Sequence, residues 1–358
     1  MNQQGRRGMW ILALMCAALL AMSAPAAAAP PAPKVTPAAD GIFDVFKTHP
    51  LVGLGEWHGL AQMLDFYVVL LRDPRFAKDV GNIVLEVGDA AQQGMIDRYV
   101  NGETVPYAEL RKVWADTVGW FPTVTYSGSI NIYSTIRDVN AKLPPEQRIK
   151  VWLGEPPIDW AAMKTKVDWE PLVKQRDTYP AELIEREILA KNKKALVIYG
   201  AGHMGIYTPD PVLRMLIDAK HPGALFVVTP YVGYAQKDCA ARFERHIKGW
   251  PTPSLVTPIR GSTLEKDIWR KGCNPIARPK DLPESQFDVS GPNNLGLNSD
   301  ALLYLGPRKA LVTGPRDPDI ILDLEYRAEM DRRMVLRTGK PMGPPNTARN
   351  VPQPFFAE

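Results

Sequence analysis

Six apolar runs of strand length punctuate the chain: PLVGLGE (50–56), NIVLEVG (82–88), IKVWLGE (149–155), KALVIYG (194–200), ALFVVTPYV (224–232) and ALLYLGP (301–307). They are continuous rather than alternating, the pattern of strands covered on both faces. Helical periodicity fills the gaps. Leu60, Met63, Leu64, Tyr67 and Leu71 follow a 3.6-residue period that RDP (72–74) ends. PAELIEREILAKN precedes the fourth run, and TPDPVLRMLIDA follows it with Asp210 placed as N-cap and Pro211 at N1. Strands alternating with helices predict an α/β fold with a mostly parallel central sheet flanked by helices.

Runs two and three are farther apart than a simple crossover requires. A helical insertion is expected over about 90–147, rich in aromatics (Tyr107, Trp114, Trp120, Phe121, Tyr126, Tyr133). It either roofs a site for an apolar substrate or packs as a small subcore of its own. The Pro/Gly/Asn-rich stretch 276–299 reads as a lid or a long surface loop.

The ends differ from this middle. Residues 1–29 combine Arg6 and Arg7, an apolar stretch from Met9 to Met22 and the small residues SAPAAAAP, the layout of a signal peptide cleaved near Ala28 or Ala29. That stretch is too short for a membrane span, and no later segment approaches one. Residues 30–40 read as a Pro/Ala-rich linker, 41–340 as a single α/β domain and 341–358 as a Pro-rich tail. A periplasmic or secreted protein is the expectation. The formal charge of +4 falls to +2 without Arg6 and Arg7, which gives no reason to expect nucleic acid. Cys239 and Cys273 remain after cleavage, and export makes a disulfide between them plausible.

Candidate chemistry gathers at the carboxyl ends of the apolar runs, where open parallel sheets bind ligands. Glu56 and His58 follow run one, Glu86 ends run two, Glu155 ends run three and His203 follows run four. A carboxylate inside IVLEVG is costly unless partnered. Glu56 and His58 are two apart, so an extended backbone aims both the same way. The glycines of GLGEWHG and YGAGHMG let the chain turn out of the strand and allow close approach. A helix start after His58 is expected to keep its imidazole neutral, a competent general base for water. Trp57, Glu155 and Asp159 are placed to bind substrate, although GEPPID could simply cap a helix near Trp160. His49, His221 and His246 read as structural or exposed.

GEWH, GAGH, the glutamate of IVLEVG and QRDTYPAELIEREI together resemble the superfamily that joins erythromycin esterases, haem-uptake ChaN-type proteins and Tiki/TraB metalloproteases. The resemblance spans roughly 45–325 and includes VWLGEPPIDW. Arg176 and Asp177 match an Arg-Asp pair that leads a helix before the second histidine strand. The Glu-x-His spacing of Glu56 and His58 follows the haem-uptake and Tiki branches, not the Glu-x-x-His of the esterases. The resemblance implies an exported hydrolase acting on an ester, lactone or peptide bond of a small-molecule or peptide substrate. His58 would activate water, Glu56 and Glu86 would orient it or hold a metal, and His203 with Arg176 would stabilise the oxyanion or serve the leaving group. Two histidines and two carboxylates suit Zn²⁺ or Mn²⁺ in ligand type, but no HExxH spacing supports a metal. The alternative implied is a non-catalytic binding protein for haem, with His58, His203, Tyr199 or Tyr207 as iron ligands.

Overall fold

A computed structural model describes residues 30–119, 126–205, 210–265, 273, 299–344 and 353–355. The six apolar runs become β2 (Leu51–Glu56), β3 (Asn82–Asp89), β4 (Lys150–Glu155), β5 (Ala195–Gly200), β6 (Leu225–Tyr231) and β8 (Ala301–Tyr304). Two strands without an apolar-run signature complete the sheet, β1 (Lys34–Pro37) and β7 (Ser254–Thr257). The order is β1-β7-β8-β6-β2-β5-β3-β4. Pairing is parallel from β8 through β4 and antiparallel only at the β1-β7-β8 end. The protein is an α/β fold with a mostly parallel sheet.

Helices α1 (Ala38–Val45), α2 (Ala61–Arg72), α3 (Gln93–Val100), α4 (Ser127–Asn140), α5 (Lys166–Val173), α6 (Thr178–Glu187), α7 (Leu213–Lys220), α8 (Lys237–Ile247) and α9 (Leu324–Thr338) accompany it. One face of the sheet packs Leu54, Leu85 and Ile198 against Phe66, Tyr67, Leu70 and the insertion's Trp114, Ile132 and Tyr133. The other packs Val84, Val197 and Tyr199 against Leu183, Ile184, Leu213 and Ile217 of α6 and α7. Each such side chain contributes roughly 1.5–3 kcal/mol by leaving water, and cover on both faces explains why the runs do not alternate.

The insertion is present and helical, with α3 and α4 between β3 and β4. Trp114 and Tyr133 stack with centroids 6.0 Å apart in the main core, so these two rings behave as core and not as a roof. Trp120 and Phe121 lie outside the described residues, as do the leader 1–29, Tyr207 and all of 276–299 except Ser299.

Two expectations are corrected. Residues 34–37 of the presumed linker are a strand: Val35 pairs with Val256 and Thr36 with Leu255, while Ala38, Ile42, Phe43 and Phe46 give the following helix a buried stripe. The helix after β5 begins at Leu213 and not at Pro211. Its first amide donates to Oδ1 of Asp177 at 2.7 Å, so the cap comes from a distant carboxylate in place of Asp210. The C-terminal tail returns as well. β10 (Gln353–Pro354) pairs antiparallel with β9 (Val312–Thr313), and the Phe355 ring meets Trp57 edge-on at 6.3 Å. Cys239 in α8 is joined to Cys273 by a disulfide. No helix among the described residues is long and apolar enough to cross a membrane.

Candidate active site

Strands β2, β5, β3 and β4 are neighbours in that order, so their carboxyl ends form one edge. Glu56 ends β2 in register with Gly200, which ends β5. On β3 the pairing with β4 is regular to Leu85 and then shifts before Asp89. An irregularity of this kind re-aims the side chains within it, and Glu86 is the first residue of the shifted stretch.

Glu86 is the hub. Its Oε1 accepts from Nη2 of Arg176 at 2.6 Å and lies 3.4 Å from Nε2 of His203, while Oε2 accepts the Gly200 amide at 2.5 Å. Burial opposes its charge, but His203, His58 and Arg176 outweigh that and hold its carboxyl well below the usual carboxylate range. His58 reaches the same hub from the other strand. A Cβ on Gly200 would sit 2.9 Å from His58 Nε2 and 3.3 Å from Glu86 Oε2, so only glycine leaves the imidazole its place. The two imidazoles, 145 positions apart in sequence, thus flank one carboxylate.

Glu56 Oε1 lies 3.0 Å from Nδ1 of His58. A carboxylate there fixes the proton on Nδ1 and leaves Nε2 as the basic nitrogen. Its other oxygen accepts the Tyr67 hydroxyl at 2.8 Å. Burial works against a charged His58, yet the Glu56 hydrogen bond and the Glu86 charge prevail and raise its pKa above 6.5. This corrects the expectation that a helix start keeps the ring neutral, since α2 begins only at Ala61 and two carboxylates stand closer.

His203 is more heavily charged. Nδ1 meets Asp177 Oδ1 at 2.7 Å and Nε2 faces Glu86. Burial again opposes the charge, but Glu86 and Asp177 together push the pKa up to about 10. At neutral pH the site therefore carries His203 as an imidazolium, beside His58, whose basicity Glu56 and Glu86 raise.

Arg176 is clamped between Glu86 and Glu155, with Nε 2.6 Å from Glu155 Oε1. Gly119 makes room for it, since a Cβ there would fall 2.1 Å from Cζ, and the Gly119 amide donates to Glu155 Oε2 at 3.1 Å. Glu155 is 1% exposed, and its carboxylate is engaged by the arginine. Burial and the neighbouring Glu86 charge raise its pKa to about 7 against the pull of Arg176. Two acids on one guanidinium thus shift oppositely, because Glu86 also faces two imidazoles. Asp159 does not join the cluster. It is exposed, turns the chain by accepting the Ala161 amide at 2.9 Å, and lines a separate groove with Trp160, Lys164 and Arg332. Trp57 lies half-buried between Glu56 and His58, against Phe355.

Two participants escaped the sequence reading. Tyr67 shows there only as one apolar position of α2, and Asp177 only as the second half of an Arg-Asp pair. Nothing local announces that their polar atoms end on Glu56 and His203.

The donor set argues against a resident metal. Glu56 is committed to a phenol and an imidazole, Glu86 to a guanidinium and an amide, and one nitrogen of His203 to Asp177. No group of three or more His, Cys, Asp or Glu among the described residues is arranged to hold a metal ion. As an iron ligand Tyr199 fits poorly: its hydroxyl is buried against Gly154, where a Cβ would meet it at 1.9 Å.

No protein-family model matches the chain, and no curated protein matches it. Among solved structures it is similar to a Bacillus cereus protein (13% identity, 76% of this chain and 94% of that one, TM-score 0.48). It is also similar to a mutant of the erythromycin esterase EreC in its open conformation (12%, 61% and 84%, TM-score 0.43). A third is haem-binding ChaN of Campylobacter jejuni (14%, 55% and 87%, TM-score 0.36).

Proposed function

We propose that the protein is an exported hydrolase that activates water with His58 against an ester, lactone or peptide bond of a small-molecule or peptide substrate. The observation that carries this reading is the Glu56–His58 pair. Its carboxylate occupies Nδ1 and turns Nε2 toward the carboxylate that the His203 imidazolium also faces. A base and a fixed positive charge on one small edge are what water attack on an acyl carbon requires. Nε2 of His58 takes a proton from water as the oxygen bonds to the acyl carbon. Charge developing on the carbonyl oxygen is met by His203, which Asp177 and Glu86 keep protonated; as the carbonyl re-forms, the bond to the alcohol or amine breaks and the leaving group takes the proton held by His58. Arg176 holds Glu86 and Glu155 in place and adds positive field without needing to touch substrate. The residues at hand do not fit a metal, so no step is routed through one. The leader pattern and the disulfide support action outside the cytoplasm.

A panel of ester, lactone and peptide substrates tests the reading. Turnover should rise with pH as His58 loses its proton, above 6.5, and decline near pH 10 as His203 loses its own. His58→Ala should lower kcat by about 10²–10⁴-fold. Equal turnover in His58→Ala and the parent would overturn the assignment. A Soret band on added haem, with no hydrolysis of any substrate, would favour a binding protein instead.

A further inference from the structure

Tyr67 is wholly buried near the middle of α2, and its ring belongs to the core on that face of the sheet. A phenylalanine would satisfy the packing. The hydroxyl, however, donates to Glu56 Oε2 at 2.8 Å, from a side chain with no exposure to solvent. It stays a donor throughout the physiological range, because burial and the Glu56 charge hold its pKa well above 10.

We infer that Tyr67 is a positioning residue of the site: its hydroxyl fixes Glu56 Oε2, so that Oε1 is presented to His58 Nδ1, and thereby sets the basicity of that imidazole. This rests on the reading of His58 as the base. The physical argument concerns how one carboxylate divides its charge. A buried oxygen that accepts a phenolic hydrogen bond has part of its demand met. The remaining pull on the imidazolium is then weaker than an otherwise identical Glu56 would exert. Tyr67 thus restrains the rise in His58 basicity that Glu56 and Glu86 produce. Among the described residues, Glu56 from β2, Glu86 from β3 and His203 after β5 face His58, with Arg176 acting through Glu86. Of the groups bonded to Glu56, His58 and Tyr67 approach its two oxygens separately, so the phenol can be altered without touching the base.

The test is the pKa of His58, followed by NMR titration of its ring in the full-length protein, with the pH profile of turnover measured alongside. In Tyr67→Phe the His58 pKa should rise, and the acidic limb of the profile should move up with it. Replacing Tyr67 with 3-fluorotyrosine, a stronger donor of unchanged shape, should move both the other way. This second variant keeps the test open if Tyr67→Phe fails to fold. An unchanged His58 pKa in either folded variant, or shifts of the same sign in both, would overturn the inference. The titration needs no turnover, so absence of hydrolysis in the parent would defeat the proposed function while leaving the Tyr67 result readable.

Discussion

Among single residues, Gly200 is the one whose lack of a side chain bears directly on the proposed base. Its backbone angles are ordinary for a strand end, so conformation does not demand glycine. What demands it is the 2.9 Å between a would-be Cβ and His58 Nε2, closer than real Cβ contacts come. In Gly200→Ala the imidazole must yield, because the strand it abuts is held in the sheet on both sides. A displacement of about 1 Å at a reacting group costs on the order of 10²-fold in rate. Loss of backbone freedom in the unfolded chain offsets part of any strain, so stability should change by less than about 1 kcal/mol. Turnover and thermal unfolding of the same preparation check this. A large fall in melting temperature with unaltered kcat would contradict the geometry.

Asp177 ties two elements together and shows at their scale what a sequence leaves unread. Its Oδ1 accepts from the Leu213 amide at the start of α7 and faces His203 after β5. Removing both partners in Asp177→Ala should cost about 1–3 kcal/mol. Asp177→Asn keeps an oxygen for the cap but not the charge. It should retain most of the stability while lowering the His203 pKa from about 10, visible as an alkaline limb of turnover moved to lower pH. Strands β2 to β6 and β8 were legible because burial on both faces writes itself as unbroken apolar runs. So was the convergence of Glu56, Glu86 and His203, since parallel strands share a carboxyl edge. The start of α7 was not, because its cap is supplied from 36 positions away while Asp210-Pro211 imitates a local one. β1 and β7 are four residues each and draw their stability from pairing, which leaves too short a pattern to recognise. Glu155 was seen as an acid on the right edge, but its burial beneath Arg176 depends on Gly119, in the insertion, making room.

Across the whole molecule, the buried site should imprint its own pH dependence on folding. His203 has a folded pKa of about 10 against an ordinary 6.5, so the native state holds its proton more tightly. That contribution is complete below about pH 6.5 and is lost as pH rises toward 10. Glu155, raised to about 7, and Asp89, raised to about 6 by burial at the end of β3, act in the same sense at lower pH, their contributions fading from the ordinary carboxylate range upward. Glu86 works oppositely: its lowered pKa stabilises the fold above about pH 4.5 and the gain disappears on acidification. The opposing slopes place the stability maximum on the acid side of neutrality, with a steady decline from there to pH 10. Denaturant titrations at a series of pH values should trace this curve, and in His203→Gln the decline above pH 6.5 should flatten. Stability that instead climbs between pH 7 and 10 would mean that His203 is not held as an imidazolium between Asp177 and Glu86.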